Sequence, residues 1–310
     1  MGRIFKLDLP LSWVIDADTC GLHFGDALSY YFKDVLNPFD ATCIKRFRDI
    51  TQKVYRRLVM KLRLFVFAVA LLAGGSLFAS VTEEETFSYT LNDGGRFSIS
   101  NVNGSITVTG ESGDKVEIVA TKKADNQGDL DKIEIEISHT ASEIVIDTEL
   151  GESNSWFSHG NNSGEVRYEI IVPVGTVLDS VKTVNGNVNI NGVSGKVVAE
   201  SVNGDLEIRD LAGDANLSTV NGSIDAEFAK LEGQQSVKAE TVNGRVSVTL
   251  PADADVSVSA DTLNGGISGS DFGLQTDKGF VGSDLKGKIG NGSARLNIDT
   301  VNGSVKIRSN

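Results

Sequence analysis

Val237-Lys238-Ala239-Glu240-Thr241-Val242-Asn243-Gly244-Arg245-Val246-Ser247-Val248-Thr249-Leu250 alternates apolar and polar residues on both sides of a Thr-Val-Asn-Gly core. A period of two places Val237, Ala239, Thr241 and then Val246, Val248, Leu250 on one buried face. Lys238, Glu240, Arg245 and Ser247 fall on a wet face. The core tetrad recurs at 183–186, 201–204 (Ser-Val-Asn-Gly), 219–222, 241–244, 262–265 (Thr-Leu-Asn-Gly) and 300–303. An outlying Asn-Val-Asn-Gly stands at 101–104, and Gly290-Asn291-Gly292 reads as a degenerate copy. Gly186, Gly204, Gly222, Gly244 and Gly265 are spaced 18, 18, 22 and 21 residues apart. Internal repetition at about 20 residues marks a stacked architecture.

Midway between copies lies a second break, at Val193-Ser194-Gly195, Leu211-Ala212-Gly213 and Leu231-Glu232-Gly233, so each unit holds two short strands and two corners. The expected fold is all-β: a parallel β-solenoid with two strands per coil of about 18–22 residues and an irregular β cap at its N-terminal side. The alternative is a hairpin-built sandwich or meander, because Asn-Gly is also a strong type I′ turn signal. The residue before Asn-Gly separates the two. A hairpin puts it on the wet face, yet it is Val184, Val202, Val220, Val242, Leu263 and Val301, which implies burial at a bent solenoid corner. Stacked coils then align Asn185, Asn203, Asn221, Asn243, Asn264 and Asn302 into a hydrogen-bonded ladder along a rod of roughly 30 Å. The final strand, Ser304–Arg308, alternates Val305 and Ile307 with Lys306 and Arg308, charges that suit an open sheet edge.

Upstream, strand-like runs at Thr86–Leu91, Phe97–Val102, Ser105–Thr109, Val116–Thr121, Ile133–Ser138, Glu143–Asp147 and Val166–Val172 make up the cap, read as 80–180 and continuous with repeats over 181–310. Ser153–Gly164 is a polar loop with Trp156, Phe157, His159, Asn161 and Asn162. Residues 60–79, beginning Met60-Lys61-Leu62-Arg63, carry two bases, an apolar run and then small residues. This is a secretory signal pattern, too short to span a bilayer. A signal belongs at a chain's start, so translation is expected to begin at Met60, leaving 1–59 as an over-extension without an assigned fold. The expected location is therefore outside the cytoplasm: periplasm, outer envelope or cell surface.

Composition supports the same class. The chain has 310 residues, 33 Gly, 4 Pro and a formal charge of −13. Removing residues 1–79, with 11 Lys/Arg and 7 Asp/Glu, from totals of 29 and 42 leaves −17. Such a surface repels nucleic acid and anionic lipid. Cys20 and Cys43 both precede Met60, which excludes a disulfide framework or thiolate site from the main body.

The run Tyr168-Glu169-Ile170-Ile171-Val172-Pro173-Val174-Gly175-Thr176, followed by the tetrads, resembles the bacterial putative-adhesin family of β-strand-repeat proteins, over roughly residues 90–310. That resemblance implies a β-solenoid, export and no assigned catalytic residues.

Catalytic signals are sparse. Glycosidases need paired carboxylates, and Glu134/Glu136, Asp225/Glu227 and Asp253/Asp255 are all spaced i, i+2, as solvated strand or turn residues are. His139 and His159 have no Gly-x-Ser-x-Gly elbow beside them. No metal motif is present, although acidic rows leave diffuse calcium binding open. Lys286-Gly287-Lys288-Ile289-Gly290-Asn291-Gly292-Ser293 looks like a phosphate loop but lacks its order and its helix, and reads as a turn. The wet face before each corner carries Lys182, Glu200, Ser218, Glu240, Asp261 and Asp299, a polar row without an aromatic sugar platform. The sequence therefore points to a non-enzymatic interaction module, adhesin-like or an envelope scaffold, needing no cofactor and meeting an envelope or surface protein or a glycan. A carbohydrate-active enzyme on a β-helix scaffold is the alternative.

Overall fold

The computed structural model describes residues 4–6, 14–16, 21–23, 80–151, 164–231, 233–279 and 282–310. Met60 with the apolar segment after it, Cys20, Cys43, Trp156, Phe157, His159, Asn161 and Asn162 lie outside them. The chain divides into two compact units, 1–76 and 77–310. In the first, β1 (Ile4–Lys6), β2 (Val14–Asp16) and β3 (Gly21–His23) pair antiparallel.

The second unit opens with β4 (Val81–Thr90), β5 (Arg96–Asn103), β6 (Ile106–Glu111), β7 (Lys115–Ala124), the single-turn helix α1 (Gln127–Leu130), β8 (Ile133–His139), β9 (Glu143–Leu150) and β10 (Glu165–Pro173). Each of the seven upstream runs thus forms a strand. There follow β11 (Val177–Asn185), β12 (Val188–Asn191), β13 (Val197–Asn203), β14 (Leu206–Leu211), β15 (Ala215–Asn221), β16 (Ile224–Phe228), β17 (Ser236–Asn243), β18 (Val246–Leu250), β19 (Val256–Asn264), β20 (Ile267–Ser268), β21 (Asp277–Lys278), β22 (Ser283–Ile289), β23 (Ala294–Asn302) and β24 (Val305–Ser309).

The two strands flanking each Asn-Gly do not pair with each other. One enters an 11-stranded sheet of order β21-β22-β19-β23-β17-β15-β13-β11-β5-β9-β8, and the other a 10-stranded sheet of order β20-β24-β18-β16-β14-β12-β6-β10-β7-β4. That arrangement excludes the meander and gives the parallel two-sheet solenoid. Alternation puts one residue in two into the space between the sheets, so Val237, Ala239, Val246, Val248 and Leu250 are all fully buried there, beside Phe97, Ile99, Leu217 and Phe228. Each sheet is covered on one face by the other and solvated on its outer face, which is why the strands alternate despite being parallel.

Three expectations are corrected. Asn101-Val102-Asn103-Gly104 is a full corner: β5 pairs parallel with β11 and β6 with β12. Gly290-Asn291-Gly292 is no corner but the turn joining β22 to β23, with both glycines left-handed (φ 62° and 78°). Finally, β24 is not an edge. It lies between β18 and β20, and β23 lies between β17 and β19, so the last coil of the chain inserts beneath the one before it. Of the true edges, β4 carries Glu83 and Glu84 outward and β8 carries Glu134 and Glu136, the charges that block edge pairing.

Candidate functional site

Seven corners stack in one column, in the order Gly104, Gly186, Gly204, Gly222, Gly244, Gly303, Gly265, and each residue of the tetrad has one task. The Thr or Ser is buried and its hydroxyl donates to the glycine carbonyl of the adjacent coil: Ser201 to Gly186 (3.0 Å), Thr219 to Gly204 (3.0 Å), Thr241 to Gly222 (3.0 Å) and Thr262 to Gly303 (2.9 Å). Asn101 fills this place in the first corner and its amide donates to Gly104 O (3.2 Å) and Val166 O (2.8 Å). The Asn side chains form the expected ladder. Asn185 donates to Asn103 (2.8 Å), Asn203 to Asn185, Asn221 to Asn203 and Asn243 to Asn221 (2.9 Å each), Asn302 to Asn243 (2.8 Å) and Asn264 to Asn302 (2.9 Å). The Gly is required for close approach and not for a turn: a Cβ on Gly222 would run into the carbonyl of Gly204, and its φ lies outside the left-handed range.

The remaining residue overturns the sequence reading. Val184, Val202, Val220, Val242, Val301 and Leu263 are exposed, from 39% at Val301 to 51% at Leu263. The chain keeps alternating through the tetrad, so the Thr points in and the Val points out, and the bend comes after it. Only Val174, at 37%, joins these six among the large apolar residues exposed in the described chain.

This apolar row is one wall of a groove of about 910 Å³ that runs along the stack. The other wall is the polar row, in stack order Ser100, Lys182, Glu200, Ser218, Glu240, Asp299 and Asp261, with the Thr and Ser residues between them as floor. Charge is uneven along it. Lys182 pairs with Glu200 (3.1 Å), and Lys238 with Glu240 (2.8 Å). Beyond them Asp299, Asp261, Asp284 and Asp277 stand side by side on neighbouring strands, with no ion pair among the described residues. Partial burial, with Glu240 and Asp261 on either side, pushes the Asp299 carboxyl up, against a weaker pull from Lys238.

The other candidates are dispersed. Glu134 and Glu136 sit on the β8 edge, while Asp225 and Glu227 lie on the outer face of β16, where Glu227 meets Arg209 (3.3 Å). Asp255 is occupied by the phosphate-loop look-alike: its carboxylate accepts from the hydroxyl of Ser293 (2.8 Å) and the backbone N–H of Gly292 (2.6 Å), which together hold its pKa down. The Gly-Asn-Gly-Ser turn does wrap an anion, and the anion is the protein's own, anchoring the crossing from β22 to β23 over the start of β19. His139 is exposed and its ring lies 4.3 Å from that of Tyr89. Among the described residues, no three His, Cys, Asp or Glu side chains converge as a metal site, and no helix is long and apolar enough to cross a membrane.

The Toastrack DUF4097 family profile matches residues 95–308. Among solved structures, a putative cell adhesion protein from Clostridium sporogenes is similar at 15% identity, covering 74% of this chain and 100% of its own, with a TM-score of 0.42. A putative adhesin from Bacteroides fragilis is 11% identical over 73% of this chain and 97% of its own, TM-score 0.31. A putative lipid binding protein from Parabacteroides distasonis is 12% identical over 73% of this chain and 94% of its own, TM-score 0.19. No curated protein matches the chain.

Proposed function

The chain belongs to the Toastrack DUF4097 family, and on that premise we propose that it is an exported, non-enzymatic interaction module, adhesin-like or an envelope scaffold, that meets its partner along the corner groove. The observation that carries this reading is the exposed apolar row. Single exposed apolar residues are ordinary, but a contiguous apolar strip rimmed by charge marks a contact surface. Among the described residues, six of the seven exposed large apolar side chains fall in one column. Export rests on the signal pattern at 60–79, and the carbohydrate-active alternative draws no support from three carboxylate pairs that stand apart from the groove.

Binding of the purified protein to isolated envelopes of the cells that make it tests the proposal. Saturable binding should be abolished by the triple substitution Val202→Thr, Val220→Thr, Val242→Thr, which keeps the β-branched shape while making the row polar. It should survive Val174→Thr, outside the row. Binding that is absent, or indifferent to the triple variant, overturns the groove as the contact surface. Mass measurement of the native protein tests export: a mature chain beginning near Ser80 is expected, and one retaining 60–79 in the cytoplasm refutes it.

A further inference from the structure

We propose that the occupant of the groove is an amphipathic α-helix whose apolar stripe is flanked by Lys or Arg. The inference rests on the groove being the contact surface and adds what fits it.

Backbone recognition is closed. At every corner before the last, Gly265, the glycine N–H donates to the Asn carbonyl of the next coil, as from Gly204 to Asn221 and from Gly222 to Asn243 (3.1 Å each), and the Thr hydroxyls and Asn amides bond to the adjacent coil. No open strand edge runs along the groove, because the strands cross it. Addition of a partner strand therefore has nothing to pair with, and recognition must come from side chains.

Pitch favours a helix. Coils repeat at about 4.8 Å, so Val184 to Leu263, five steps, spans about 24 Å, the length of a helix of roughly 16 residues. A helix presents its stripe once per 5.4 Å turn, close to the spacing of the row, whereas an extended chain presents same-face side chains about 6.6–6.8 Å apart and slips by about 2 Å per rung. Charge sets the flank. One side of the apolar row is the neutral Asn ladder; the other ends in Glu240, Asp299 and Asp261, and among the described residues neither aspartate makes an ion pair, Lys238 being engaged by Glu240. A stripe seated on the Val row places its flanking cations over those carboxylates, where Asp299 stands between Asp261 and Glu240 on paired strands.

The test uses the chain in fluorescence anisotropy against three 18-residue peptides: Leu-striped with Lys flanks, the same with Glu for Lys, and a Lys/Ser peptide without the stripe. Only the first should bind. Asp261→Asn with Asp299→Asn should weaken it at least tenfold and flatten its salt dependence. The Val202/Val220/Val242→Thr triple should abolish it and Val174→Thr should not. Circular dichroism and urea midpoints confirm that each variant is folded. Equal binding of the Glu peptide, or binding indifferent to both groove variants, refutes the proposal. If no peptide binds while envelope binding still depends on the Val row, the occupant is not a cationic helix and the groove reading stands. If neither occurs, both fall.

Discussion

Gly222→Ala isolates the stacking role of the corner. The φ of Gly222 lies outside the left-handed range, so alanine adopts the backbone without strain and the cost is steric alone. Its Cβ would collide with the carbonyl of Gly204 and sit 3.1 Å from the Thr219 hydroxyl. Relief requires the two coils to part at this corner. Parting weakens three bonds: Gly204 N to Asn221 O (3.1 Å), Thr219 Oγ1 to Gly204 O (3.0 Å) and Asn221 Nδ2 to Asn203 Oδ1 (2.9 Å). At about 0.5–1.5 kcal/mol per bond, with about 1–3 kcal/mol of overpacking strain, destabilisation of about 3 kcal/mol or more is expected. Gly266→Ala is the matched control, since nothing lies within 4 Å of its Cβ position and its φ is also unremarkable. It should change stability by under about 0.5 kcal/mol, or raise it slightly by stiffening the unfolded chain. Urea unfolding followed by circular dichroism reads the difference. A gap below about 1 kcal/mol refutes close coil approach as the reason for the glycine column.

Asn243→Ala removes one donor and one acceptor from the ladder, to Asn221 and from Asn302, and should cost about 1–2 kcal/mol in thermal unfolding, where Asn191→Ala on the outer face of β12 costs little. Tyr168 is buried with its hydroxyl on Thr148 (2.6 Å), and burial pushes its pKa to about 12 from 10.0. The neutral phenol therefore stabilises the fold below pH 10, and that contribution, about 2–3 kcal/mol by linkage, is lost as pH rises from 10 toward 12. Tyr168→Phe should lack this alkaline loss, and one phenol should ionise late in an ultraviolet titration. Asp299→Asn should raise stability at neutral pH by a few tenths of a kcal/mol, the scale of an exposed charge contact, by removing a partly desolvated charge and its repulsion from Glu240 and Asp261 at the expense of attraction to Lys238. Because the folded-state pKa is raised, the wild-type penalty is present above it and fades as pH falls toward 3.8, so the advantage of the variant should vanish in acid.

Alternation and the tetrad spacing made the strands and the Asn column legible, because both are local patterns that stacking merely repeats. The Val row points to the correct fold, but not because it is buried. A period of two already assigns Val184 to the same side as Lys182, and bending the chain to bury it was unnecessary. The glycines explain themselves only in the structure: six of them adopt no left-handed backbone, so close approach of the adjacent coil, and not a turn, accounts for them. The inserted last coil also left a trace, since Gly265 and Gly303 are 38 residues apart where the corners from Gly186 to Gly265 are 18–22 apart, room for β20, β21, β22 and the crossing turn on Asp255. Its placement could not be read, because parallel pairing of β23 with β17 or with β19 satisfies the same pattern. The groove is half legible: alternation puts the polar row on the outer face, while the aliphatic character of the row beside it reads as burial.

Stacking fixes most of the tetrad and leaves one position free. The Thr, Asn and Gly are each held by a bond or a contact to the next coil, so their recurrence follows from the fold. The Val has no such constraint. It points to solvent beside Lys, Glu and Asp, where Ser or Thr would satisfy the backbone equally well, and it is nonetheless aliphatic in six coils of six from Val184 to Leu263. Lateral contact between neighbouring Val side chains accounts for β-branching, which Thr shares, and not for the missing hydroxyl. An aliphatic row without polar atoms on a strongly acidic surface is what a contact face needs if it is covered in use, and the carboxylates at one end are what the proposed cationic flank would meet.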